Sequence, residues 1–288
     1  MLEKSHAIGQ PANGDELRSM QKDFSFSFAG HAKVLTERLD GSPQRLFALI
    51  DAGQIPDLSQ SLRKLPDRAN RRLLFEGTFA HRALALSPLV LEIAVDAGAL
   101  QDTLQTLDAI CHRLPVLSYL SSDATLDALA QHLRNLLRIE AEESDFLLRF
   151  ADTQMMAGIA TILTPAQHAA FFKGIGRWWI VDHRGALSEL VQLHSAKPRV
   201  EPVPLPLQFD TTQNSALLDA TRIPALAAQL RYADPAFGTL LSFAAQSECI
   251  SRGVAAAQDA GQADDTEWLS HCLGYWQQQH SAILLAKP

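Results

Sequence analysis

The chain has 288 residues, 47% hydrophobic and 20% charged, with 25 Lys and Arg against 32 Asp and Glu for a net charge of −7. That length is ample for a buried core and leaves room for two lobes. The negative balance argues against a protein that wraps nucleic acid by neutralising phosphates.

Residues 1–40 read as a polar leader containing the apolar patch FSFSF (24–28). The leader lacks the apolar core of roughly 7–15 residues and the small-residue cleavage site of a secretory signal. The run LALSPLVLEIAV is broken by Ser87, Pro88 and Glu92 and is too short to span a bilayer, so no membrane partner is expected. The three cysteines, Cys111, Cys249 and Cys272, form no C-x-x-C pair and suit reduced thiols in a cytoplasmic protein.

Residues 41–196 read as one α/β domain. LFALI (46–50), RLLFEGT (72–78), PLVLEI (88–93), PVLSYL (115–120), DFLLRF (145–150) and GRWWIVD (176–182) are compact apolar runs of strand length. Helical patterns alternate with them. In LDALAQHLRNLL, Leu126, Leu129, Leu133, Leu136 and Leu137 form one stripe, with Ser122 or Asp123 as N-cap. Thr164, Pro165 and Gln167 predict a capping-box helix start. Gly174-x-Gly176 follows that helix, which suits a tight turn better than a phosphate cradle. The basic run RKLPDRANRR (63–72) reads as a solvated loop, or as a face for an acidic patch on a partner protein.

Four prolines between Pro198 and Pro206 predict an extended linker over 197–210, ahead of a helical lobe over 211–288. There Asp234-Pro235 caps one helix, and Asp265 or Thr266 opens a last one bearing Trp268, Cys272 and Tyr275. The expected fold class is α/β, or α+β: an N-terminal mixed β-sheet lobe with flanking helices, followed by a helical C-terminal lobe.

Chemistry-bearing motifs are scarce. The chain has no H-E-x-x-H, no paired Cys/His spacing, no G-x-x-x-x-G-K-[ST] and no G-x-S-x-G, so neither a metal nor another cofactor is expected. Asp51 and Asp152 each follow a strand-like run and could meet at one sheet edge, although turn and cap roles also account for them. Trp178-Trp179-Ile180-Val181 puts apolar side chains on both faces of a strand. That strand is either buried on both sides or presents one face to a partner.

LFALIDAGQIP (46–56), LLFEGT (73–78), SPLVLEI (87–93), LDALAQHLRNLL (126–137), FLLRFADTQMM (146–156) and LTPAQHAAFFKGIGRWW (163–179) occur in that order. Together they resemble the effector-adaptor family of bacterial type VI secretion, domain-of-unknown-function family 4123. The resemblance covers roughly 44–180 and marks Asp51, Glu76, Gly77, His132, Arg134, Arg149 and Asp152 as signature positions. Where the family shows Tyr-Asp-Pro-Arg, this chain has Ala151-Asp152-Thr153-Gln154.

The resemblance implies a cytoplasmic bacterial adaptor or chaperone without catalysis or cofactor. Its implied partners are a secreted effector and the spike protein VgrG. Candidate partner-binding residues are Trp178, Trp179, Leu205, Phe209, Trp268 and Trp276. The alternatives are a hydrolase with a carboxylate site around Asp51, Glu76 and Asp152, or a regulatory binding module with another partner. In FLLRFADTQMM, Phe146 to Phe150 is expected to form an inner strand. Asp152 is expected to cap a helix starting near Thr153 by accepting an N–H from Gln154 or Met155.

Overall fold

The computed structural model describes residues 28–39, 45–55, 70–111, 114–141, 144–182, 185–190, 201–262 and 264–285. They form two compact units, divided between Ala220 and Thr221. Most of the leader, residues 56–69 of the stretch that holds the basic run, and 191–200 of the proline-rich stretch lie outside the described residues.

In the first unit β1 (Arg45–Ile50) lies inside a six-stranded sheet of order β2-β3-β1-β4-β7-β8. Its companions are β2 (Arg71–Leu73), β3 (Leu89–Ile93), β4 (Leu117–Ser122), β7 (Ile175–Val181) and β8 (Leu187–Glu189). Every pairing in this sheet is antiparallel. Both faces of this antiparallel sheet are covered.

Phe47, Leu49, Leu120, Trp178 and Ile180 face one core, while Leu46, Ala48, Ile50, Tyr119, Trp179 and Val181 face another. The second face is roofed by α1 (Phe28–Leu39) and α2 (Ala97–Cys111), through Leu35, Leu100, Leu104 and Leu107. The first face carries α3 (Leu126–Leu136), α4 (Thr153–Ile162) and α5 (Pro165–Phe171). Strands buried on both faces read as unbroken apolar runs whatever their direction.

A second, three-stranded sheet has the order β6-β5-β9, from β5 (Arg138–Ala141), β6 (Ser144–Leu147) and β9 (Leu207–Phe209). Here the mixed character is real: β6 is antiparallel and β9 parallel to β5. Two readings change. DFLLRF is not an inner strand, since β6 is an edge with Phe146 46% and Leu147 39% exposed. The end of the expected linker is a strand, with Leu207 and Phe209 buried in the core.

Local chemistry sets the helix starts. Thr125, not Ser122 or Asp123, caps α3 by accepting the Ala128 N–H; the Ser122 hydroxyl is engaged with the Gly174 carbonyl and the Ala124 N–H. Thr164 and Gln167 complete the capping box of α5. Gly174 sits at φ +74 in the turn before β7, a conformation that costs glycine little.

The helix α6 (Thr211–Ala233) begins in the first unit and ends in the second, which continues as α7 (Pro235–Leu240), α8 (Phe243–Asp259) and α9 (Asp265–Leu285). Asp234 caps α7 through the Ala236 N–H, and its other oxygen accepts from Trp276 Nε1 at 2.7 Å. The core of this unit gathers Leu226, Leu230, Phe237, Ile250, Cys272 and Trp276. α8 and α9 approach closely at Gly253, where an added Cβ would lie 2.7 Å from Cys272 Cα.

Candidate functional site

Asp51 leaves the end of β1, and its N–H donates to the Val116 carbonyl at 2.8 Å, holding the corner against the start of β4. The single 3-10 turn Ala52–Gln54 then folds Gln54 back over it. Gln54 Nε2 donates to Asp51 Oδ2 at 2.6 Å and to Asp152 Oδ2 at 3.3 Å. Asp152 arrives from far along the chain as the N-cap of α4, its Oδ1 accepting the Gln154 N–H at 3.0 Å. The expected cap is therefore present.

Arg149 ties the two acids together. Its Nη2 donates to Asp51 Oδ2 and to Asp152 Oδ2, each at 3.2 Å. The Asp51 and Asp152 side chains are 9% and 6% exposed, whereas Arg149 is 49% exposed. Burial pushes the Asp152 carboxyl above its ordinary value, and Asp51 adds to the rise; Arg149 and the Gln154 and Met155 amides pull it back. Two carboxylates against one guanidinium leave the corner with an excess of negative charge when both are ionised.

A cavity of about 230 Å³ opens beside these groups. Its walls are apolar, from Phe75, Leu86, Pro88, Leu137, Leu147 and Leu148. Arg149, Asp51, Asp152 and Gln54 supply its polar side. Pockets that take drug-sized ligands run to roughly 300–1,000 Å³, so this one is smaller than those. Both oxygens of Asp152 are already engaged inside the chain, one in the cap and one with Arg149 and Gln54.

The other signature residues hold separate joints. Arg134 Nη2 donates to the Leu73 carbonyl at 3.0 Å and lies 3.5 Å from Glu76 Oε2, fastening the turn after β2 to α3. Glu76 is thus not among the residues lining the cavity, and the three acids Asp51, Glu76 and Asp152 do not form one cluster. Gly77 takes φ +73 in that turn, the left-handed region where a side chain is strained. His132 Nε2 lies 2.8 Å from the Phe171 carbonyl. A carbonyl only accepts, so Nε2 carries the proton and donates.

The candidate partner-binding residues are placed mostly inside. Trp178 is buried against Phe150, Phe171 and Phe172, and Trp179 is buried on the opposite face of the sheet. Trp268 and Trp276 are buried among the helices, Phe209 is buried in β9, and Leu205 is half-buried against the first core. These aromatic side chains serve packing, which leaves them no free face for a partner.

Sequence reasoning overlooked Gln54 and the cavity walls. Gln54 had a signal, since an amide three residues beyond Asp51 is the spacing of one tight turn. Two of the wall residues had none, because Phe75 sits in a turn and Leu86 ends a 3-10 helix, neither of which carries a readable periodicity.

Among the described residues no helix is long and apolar enough to cross a membrane, and no group of three or more His, Cys, Asp or Glu side chains could hold a metal ion. Comparison with curated proteins and with solved structures returns no match. Residues 46–170 match the model of a family described as a domain of unknown function, DUF4123. That span contains the Asp51–Arg149–Asp152 corner, the Glu76–Arg134 joint and His132, so this region of the chain is similar to the DUF4123 family.

Proposed function

We propose that this chain is a cytoplasmic, non-catalytic adaptor that binds a secreted effector protein and helps load it onto a VgrG-type spike of a type VI secretion system. The observation that carries the reading is the DUF4123 match over 46–170, a family consistent with a type VI secretion adaptor role. The geometry supports it in one respect. The charged side chains at the signature corner bind one another and cap a helix, a use that needs no reactant.

The hydrolase reading stands on the same corner, because a buried acid with a raised carboxyl beside a cavity is a general-acid arrangement. Its third acid, Glu76, lies at another joint. Co-purification of the tagged full chain with the products of neighbouring genes tests the adaptor reading. Retention of an effector-like or spike protein at low salt is the expected result. Retention of neither counts against it.

A further inference from the structure

Among the described residues, the three-stranded sheet ends in an edge strand that exposes Phe146 and Leu147. β6 has β5 on one side, and among the described residues no strand on the other. The direction of its free hydrogen-bonding groups follows from one bond. The Leu148 N–H donates to the Leu137 carbonyl at 2.8 Å, so residues 148, 146 and 144 turn their main-chain groups toward β5. Asp145 and Leu147 therefore turn theirs outward, toward the open edge. Edge strands are normally blunted by charge, proline or a covering element. β6 carries one charge, Asp145, already 2.9 Å from Arg138, beside exposed Phe146 and Leu147.

The same edge leads into the cavity. Leu147 and Leu148 form part of its wall, and Arg149 and Asp152 follow within a few residues. An apolar channel ending at two buried carboxylates with a single guanidinium complements a side chain with an aliphatic stem and a cationic head. A lysine or arginine has that form.

We propose that an extended segment of a partner protein adds as a strand to the open edge of β6 and sets a lysine or arginine into the cavity against Asp51 and Asp152. This rests on the reading that the partner is a protein. The main-chain bonds to Asp145 and Leu147 supply affinity without regard to sequence, and the cavity supplies the choice of side chain. Arg149, half exposed, shifts toward one carboxylate as the guest cation takes the other.

The direct test is an amide-shift titration of the full chain with an acetylated hexapeptide of alternating valine and threonine carrying one central lysine, and with its glutamate counterpart. The lysine peptide is expected to move the amides of Asp145, Leu147, Leu148 and Ala151 and to saturate. The glutamate peptide should bind at least about tenfold more weakly. Asp145→Pro removes an edge donor without touching the β5 ladder and should abolish binding, whereas Asp145→Asn should retain it. Asp51→Asn should weaken the lysine peptide and narrow its lead over the glutamate peptide. Equal binding of the two peptides, shifts confined to other elements, or full binding by Asp145→Pro would overturn the proposal.

Co-purification with the Asp145→Pro variant separates this proposal from the adaptor reading. An effector held by the wild type and lost by the variant supports the edge. An effector held by both places its site elsewhere, overturning the edge proposal while keeping the adaptor reading. If the wild type holds no effector, the adaptor reading fails, and the peptide titration decides the edge by itself.

Discussion

Asp152 accepts the Gln154 N–H with one oxygen and binds Arg149 and Gln54 with the other. Replacing it with alanine removes the cap and leaves Arg149 and Gln54 with Asp51 as their acceptor at this corner. Loss of the cap alone costs about 0.5–2 kcal/mol, which a urea titration will show as an earlier midpoint. Asp152→Asn keeps a capping oxygen and should lose less. Burial raises the Asp152 carboxyl in the folded chain, so the folded state takes up this proton first as pH falls. The penalty carried at neutral pH is relieved between the raised value and the ordinary 3.8. Over that window the wild type should gain stability relative to Asp152→Asn.

The histidines work in the opposite sense. Burial lowers both His31 and His132 from the ordinary 6.5, outweighing their bonds to the Gly185 and Phe171 carbonyls. Here the unfolded chain takes up protons first. Their contribution is complete above the ordinary value and is lost as pH falls from there through the lowered folded-state values. Melting temperatures recorded between about pH 7.5 and 5.5 should fall, and His132→Gln should flatten the slope.

At the scale of elements, the close approach of α8 and α9 gives a sharp expectation. In an exposed helix Gly→Ala stabilises by about 1 kcal/mol. At Gly253 the new Cβ would lie 2.7 Å from Cys272 Cα, so Gly253→Ala should instead destabilise by about 1–3 kcal/mol in a urea titration. Most strands were legible in the sequence because β1, β3, β4 and β7 are apolar on one face or both. Their direction was not, because an antiparallel sheet with two covered faces has the same apolar runs as a parallel one. Strands as short as β8 and β9 leave no run to read. The prolines before β9 masked a segment whose Leu207 and Phe209 are held by a parallel ladder to β5. At the site, Asp51, Arg149 and Asp152 were legible as corner residues. That Asp51 and Asp152 could meet was legible too; that Arg149 bridges them, 98 positions from Asp51, and that a cavity opens beside them was not, since both come from tertiary packing.

At the scale of the whole molecule, the first unit has a core on each face of its sheet, holding Trp178 and Trp179, and the second unit has one core holding Trp268 and Trp276. Among the described residues of the first unit, the β6 edge exposes Phe146 and Leu147 beside the cavity. If the proposed edge pairing holds the partner, no covalent step is involved and binding should be stoichiometric and reversible. The most direct measurement is size-exclusion chromatography of the purified effector and spike proteins from the neighbouring genes, with and without an equimolar amount of the full chain. Effector and spike are expected to co-elute only when the chain is present. Co-elution of the two without it, or a chain that elutes alone beside both, would contradict the account.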